Sequence, residues 1–202
     1  MTTINGTIDS ETLVGGYSND ILNGNEGNDT VFGSYFDDTL NGGSGDDDLF
    51  GGNHDDVLNG DSGDDNLFGG NHDDVLNGGS GDDDLFGGNH DDVLNGGSGN
   101  DSLYGGIGRD TLLGGDGADR FIFDSLDNLD LVSDFDASQG DKIVFDTATT
   151  GIAEIEALTV SVGSSSSDML ESSRVTSLYF EGERIVEFDG LVSLQIEDFE
   201  FI

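Results

Sequence analysis

The 202-residue sequence predicts an all-β chain, a two-sheet solenoid of parallel strands followed by a β-rich C-terminal segment. Three observations predict it. An aspartate recurs every nine residues: Asp20, Asp29, Asp38, Asp47, Asp56, Asp65, Asp74, Asp83, Asp92, Asp101, Asp110 and Asp119. A glycine precedes each by five positions, from Gly15 and Gly24 to Gly114. An apolar residue follows each by two, from Leu22 and Val31 to Leu112 and Phe121. A fixed short period marks stacked units, each of which buries its apolar face only against its neighbours.

The elements follow in chain order. Residues 1–14 form a lead-in in which Gly6, Glu11 and Leu13 keep the frame but the aspartate is replaced. Residues 15–122 are twelve nonapeptides. A longer period of eighteen runs through them: residues 42–59 read GGSGDDDLFGGNHDDVLN, residues 78–95 are identical, and residues 60–77 differ only at Asp61 and Asn66. Two unlike nonapeptides therefore make one coil. The first six residues of each unit are rich in Gly and polar groups and suit turns with positive φ. The last three alternate polar, apolar and variable, which predicts a very short strand with one inward residue. Successive coils stack about 4.8 Å apart. Residues 123–202 lose the period, and strands are expected at Leu158–Val162, Thr176–Phe180 and Arg184–Phe188, the last two joined by a turn at Glu181–Glu183 containing Gly182.

Charge narrows the partners. The chain has 44 acidic and 5 basic residues, a formal net charge of −39, and residues 1–108 hold 23 of the acids with no Lys or Arg. Phosphate backbones and anionic membrane surfaces would be repelled, so neither nucleic acid nor membrane is expected as a partner. Absence of Cys excludes disulfides and thiolate metal sites. No apolar run approaches transmembrane length, and the first sixteen residues lack the basic and apolar regions of a Sec-type signal. Low hydrophobicity with high charge means disorder unless something neutralises the charge.

The comb supplies the reason for a cation. In the predicted spiral Asp47, Asp65, Asp83 and Asp101 line one edge, and Asp56, Asp74 and Asp92 the other. Stacked carboxylates a few ångströms apart repel by roughly 1–4 kcal/mol per pair. A divalent cation between turns reverses the sign of each interaction. Flexible all-oxygen coordination suits Ca²⁺, whereas Zn²⁺ wants His or Cys and Mg²⁺ a stricter octahedron.

The frame G-G-x-G-x-D-x-U-x resembles the repeats-in-toxin (RTX, hemolysin-type) calcium-binding nonapeptide. First-position Gly, sixth-position Asp and eighth-position apolar residues match in all twelve units, second-position Gly in nine and fourth-position Gly in seven. The resemblance implies a right-handed parallel β-roll with Ca²⁺ between turns eighteen residues apart. It implies that the earlier turn gives its second- and fourth-position carbonyls and its Asp, and the later turn its first- and third-position carbonyls and its Asp. On one edge Asn25 and Gly27 would then face Gly42 and Ser44, and Gly43 and Gly45 would face Gly60 and Ser62. Asp61 and Gly63 would face Gly78 and Ser80, Gly79 and Gly81 would face Gly96 and Ser98, and Gly97 and Gly99 would face Gly114 and Asp116. On the other edge Gly52 and His54 would face Gly69 and Asn71, Gly70 and His72 would face Gly87 and Asn89, and Gly88 and His90 would face Gly105 and Ile107. Up to about ten inter-turn sites are implied. The fourth position departs from Gly at Ser18, Phe36, His54, His72 and His90, and weaker sites are expected near Phe36, where positive φ would suit a bulky residue poorly.

Residues 121–145, FIFDSLDNLDLVSDFDASQGDKIVF, resemble the stretch that follows RTX arrays in secreted proteases and alginate epimerase modules. The terminal Glu197-Asp198-Phe199-Glu200-Phe201-Ile202 resembles an uncleaved type I secretion signal. Residues 123–202 are accordingly expected to cap the roll and to carry the export region. The resemblance implies a bacterial protein that stays unfolded where Ca²⁺ is scarce, passes through type I secretion machinery, and folds outside the cell. No HExxH, G-x-S-x-G or P-loop is present, so no enzyme is expected. The leading expectation is a secreted, non-enzymatic calcium-binding protein. The alternatives are a calcium-dependent structural, adhesive or self-assembling surface protein, or the export or carbohydrate-binding module of a larger secreted enzyme. Phe32, Phe50, Phe68, Phe86 and Tyr104 recur every eighteen residues and are expected on an outer face, available for self-association or contact with a surface or carbohydrate. The three histidines are expected as solvated turn residues in a ladder.

Overall fold

A computed structural model describes residues 1–123, 129–150, 158–164, 174–180, 183–188 and 194–202. Two short strands, β1 (Thr3–Asn5) and β2 (Thr12–Val14), open the chain. Eleven six-residue strands follow: β3 (Ile21–Glu26), β4 (Thr30–Tyr35), β5 (Thr39–Ser44), β6 (Asp48–Asn53), β7 (Val57–Ser62), β8 (Asn66–Asn71), β9 (Val75–Ser80), β10 (Asp84–Asn89), β11 (Val93–Ser98), β12 (Ser102–Ile107) and β13 (Thr111–Asp116). Odd-numbered strands stack in one sheet and even-numbered strands in the other. Pairing is parallel with partners eighteen residues apart, as in Leu40 with Leu58 and Leu49 with Leu67. The chain is a parallel β-roll.

Each six-residue strand runs from the seventh position of one nonapeptide through the third of the next, so only positions four to six turn. This corrects the expected three-residue strand. The ladder continues through the first two glycines because pairing there satisfies backbone groups that a longer loop would leave unpaired. The inward set is larger too. Burial alternates along β5, where Leu40 and Gly42 face in while Thr39, Asn41 and Gly43 face out. Leu22, Val31, Leu40, Leu49, Leu58, Leu67, Leu76, Leu85, Leu94, Leu103 and Leu112 are all fully buried and form one cluster with Phe121, Phe145 and Phe188.

Stacking does not stop where the period stops. In the even sheet, β14 (Arg120–Phe123) pairs in parallel with β16 (Lys142–Phe145), and β16 with β20 (Phe199–Phe201). In the odd sheet, β15 (Asp130–Val132) lies beside β13 and pairs with β19 (Glu183–Phe188). Strands β17 (Leu158–Ser164) and β18 (Arg174–Phe180) complete that sheet antiparallel to one another, with β18 antiparallel to β19. These three strands cover the three segments expected from sequence. Residues 181–182 of the expected turn lie outside the described residues. Among the described residues no helix is long and apolar enough to cross a membrane.

Candidate metal centre

The turns at positions four to six form two edges. On the first, the second and fourth positions carry positive φ: Asn25 (85°) and Gly27 (106°), Gly43 (115°) and Gly45 (125°), Asp61 (75°) and Gly63 (129°), Gly79 (117°) and Gly81 (135°), Gly97 (108°) and Gly99 (135°). On the second edge the same holds for Gly52 (115°) and His54 (81°), Gly70 (116°) and His72 (79°), and Gly88 (116°) and His90 (84°). Phe36 takes the same conformation at 75°, which costs a residue with a Cβ roughly 1–2 kcal/mol.

All twelve comb aspartates are buried. Each is locked into its neighbours through one oxygen. From Asp20 onto Asp38 through Asp101 onto Asp119, the amide of one aspartate donates to Oδ1 of the aspartate eighteen residues later, at 2.7–3.0 Å. The second oxygen is different. Oδ2 of Asp29, Asp38, Asp47, Asp56, Asp65, Asp74, Asp83, Asp92, Asp101 and Asp119 is buried with no hydrogen-bond partner among the described residues.

First-position glycines owe their identity to this oxygen. They do not have positive φ; they face inward, and Oδ2 occupies the place of their missing side chain. A Cβ on Gly51 would lie 2.6 Å from Asp56 Oδ2 and 2.8 Å from the Gly69 carbonyl oxygen. On Gly69 it would lie 2.6 Å from Asp74 Oδ2 and 2.7 Å from the Gly87 oxygen, and on Gly87 2.5 Å from Asp92 Oδ2 and 2.6 Å from the Gly105 oxygen. The same crowding recurs with Asp47 at Gly42, Asp65 at Gly60, Asp83 at Gly78, Asp101 at Gly96 and Asp119 at Gly114. A carboxylate oxygen of one coil and the first-position carbonyl of the next thus face a common spot.

Burial pushes these carboxyls up, reinforced by neighbouring carboxylates and opposed by the amide bond to Oδ1. Asp38, Asp47 and Asp83 rise to about 6. Asp65, Asp74 and Asp101 rise to about 7, and Asp56 and Asp92 to about 8. Asp119 is raised by the same first cause. Asp20, at the open end, is lowered by its bond from the Ser18 hydroxyl.

Among the described residues no group of three or more His, Cys, Asp or Glu side chains gathers about one point. A cation here would draw on carboxylates eighteen residues apart and on main-chain oxygens, a donor set of hard oxygens that fits Ca²⁺. The third-position carbonyls are already engaged: Ser44, Ser62, Ser80, Ser98, Asp116 and Ile107 each accept an amide of the preceding coil at 2.7–2.9 Å. Each keeps one further lone pair for a cation. Two comb residues escape the nine-residue frame. Asp130 Oδ1 accepts the Asp110 amide at 3.0 Å, and Asp141 Oδ1 accepts the Asp119 amide at 3.1 Å, at separations of 20 and 22 residues. Their local signal is the aspartate two residues before a buried apolar side chain, Val132 and Ile143.

The family model for the RTX calcium-binding nonapeptide repeat matches residues 5–34, 23–53, 32–67, 50–85, 68–103 and 86–121. The chain belongs to the RTX calcium-binding repeat family. A search of curated proteins finds no match. Among solved structures, the chain is similar to the extracellular lipase LipA from Serratia marcescens, at 15% identity and a TM-score of 0.35, over 98% of this chain and 39% of that one. The chain thus spans about two-fifths of the length of that lipase.

The RTX coils also align side chains on their outer surfaces. Phe32, Phe50, Phe68, Phe86 and Tyr104 stack in a half-buried column with ring centroids 4.4–4.9 Å apart. On the opposite sheet Asn5, Asn23, Asn41, Asn59 and Asn77 form an amide ladder with bonds of 2.6–2.9 Å. Phe36, His54, His72 and His90 form a ring column along the second edge at 5.0–5.3 Å, its last pair tilted; His54 and His90 are exposed and His72 is half-buried.

Proposed function

We propose that the chain is a secreted, non-enzymatic Ca²⁺-binding protein whose RTX roll folds when Ca²⁺ enters between stacked turns. The buried Oδ2 atoms of the repeat aspartates from Asp29 to Asp101, which lack a hydrogen-bond partner among the described residues with Asp110 outside this set, carry this reading. A row of ionised carboxylates facing a thin apolar core is costly, and each faces a carbonyl oxygen with which it can share a cation. The comb aspartates are the charged ligands. Second- and fourth-position oxygens of one turn and first- and third-position oxygens of the turn eighteen residues on are the neutral ones. Up to ten such sites fit between the repeats. Binding free energy then becomes folding free energy, at the roughly 10⁻⁴–10⁻³ M affinity of extracellular modules. A chain unfolded where Ca²⁺ is scarce suits export by type I machinery through its C-terminal residues. Sedimentation velocity tests the reading: millimolar Ca²⁺ compacts the chain and equimolar Mg²⁺ does not, and equal coefficients in chelator and Ca²⁺ reject it.

The stacked column from Phe32 to Tyr104 favours a second reading, a calcium-dependent structural or adhesive protein that presents this face to another surface.

A further inference from the structure

We propose that the C-terminal end of the roll carries a divalent-cation site outside the repeats, between Asp119 and Asp141; it rests on the reading of the repeat turns as Ca²⁺ sites. Asp119 is the last aspartate of the nine-residue frame. Its Oδ2 is fully buried, lies where a side chain on Gly114 would be, and has no partner among the described residues. Asp141 stands over it as each comb aspartate stands over its predecessor. The Asp119 amide donates to Asp141 Oδ1 at 3.1 Å, and the Lys142 amide donates to the Asp119 carbonyl at 2.8 Å. The same pair of bonds joins Asp20 to the coil above, from its amide to Asp38 and from Thr39 to its carbonyl.

Residues 133–141 make up for the missing nonapeptide. The Asp134 carboxylate accepts the Gly114 and Gly115 amides at 2.9 and 2.8 Å. The Gln139 side-chain oxygen accepts the Gly117 amide at 3.1 Å, and Asp141 Oδ2 accepts the Asp136 amide at 2.8 Å. These bonds engage the Gly114, Gly115 and Gly117 amides, and among the described residues Asp119 Oδ2 receives no hydrogen bond. The one lysine of the sequence is engaged elsewhere: the Lys142 ammonium donates to the Glu197 carbonyl. The ligand class is a hard, oxygen-seeking divalent cation of Ca²⁺ type. Its donors are the Asp119 and Asp141 carboxylates with main-chain oxygens of the 115–117 turn.

Native mass spectrometry of the full chain in Ca²⁺ counts the ions. Asp141→Asn carries one ion fewer than the parent, and Gln139→Ala, which loosens the segment without removing a carboxylate, carries the parental number. An unchanged count in Asp141→Asn overturns the proposal, as does an equal loss in both variants. Hydrogen exchange on the parent chain covers the case in which Asp141→Asn does not fold. Amides 114–119 gain protection with Ca²⁺, and no gain there while upstream coils are protected overturns it. A parent chain that binds no Ca²⁺ rejects the repeat reading itself.

Discussion

Acidification in chelator will restore β-structure that calcium removal abolishes at neutral pH. A carboxyl whose pKa is higher folded than unfolded binds its proton more tightly in the roll. Its contribution is fully present below the unfolded value, near 3.8, and is lost as pH rises through the folded value of about 6 to 8. The smallest of these shifts is about two pH units, or ~3 kcal/mol. Eight aspartates of the nine-residue frame are raised at least that far. Several such carboxylates ionised together in the ion-free roll at high pH offset much of the ~5–15 kcal/mol that holds a domain folded. Coupling between neighbours reduces the total without changing its sign. The assay is far-ultraviolet circular dichroism with sedimentation in chelator from pH 7.5 to 5, above the isoelectric point near 4.1. The β signal grows as pH falls, in a monomeric protein. A spectrum independent of pH across that window refutes the reasoning.

Other perturbations probe separate parts of the site. Gly69→Ala sets a methyl 2.6 Å from Asp74 Oδ2 and 2.7 Å from the Gly87 oxygen; overpacking of about 1–3 kcal/mol raises the Ca²⁺ midpoint for folding, and an unchanged midpoint contradicts the tight fit. Phe36→Gly removes about 1–2 kcal/mol of left-handed strain against about 1 kcal/mol of stacking on His54. The Ca²⁺-loaded Tm therefore holds or rises, by up to about 4 °C, and a fall of several degrees would contradict the strain argument. Replacing Phe50, Phe68 and Phe86 together with Ser removes the aromatic column. If that face associates, the sedimentation coefficient of the Ca²⁺-loaded protein drops, and no change in sedimentation or surface binding rejects the second reading.

Much of this was legible because the repeat is its own ruler. A period of nine with alternating Phe and Asn at its last position gives the coil, the stacking of Asp47 under Asp65, and the Leu ladder directly. The reason for first-position glycine was not legible. It looks like a turn residue in sequence, yet its constraint is a contact with an aspartate oxygen that exists only after folding. The strand length was underestimated for a related cause: glycine has weak strand propensity, and tertiary pairing overrides it here. Asp130 and Asp141 were missed because insertions stretch their spacing to 20 and 22 residues. A search for an aspartate two before an apolar residue, free of period, would have found both.

The most direct measurement is circular dichroism of the chain at neutral pH as chelator is replaced by millimolar Ca²⁺. The account predicts a cooperative change from coil to β-structure as the ion meets the comb. A chain already β-structured in chelator, or one that remains coil in Ca²⁺, contradicts it.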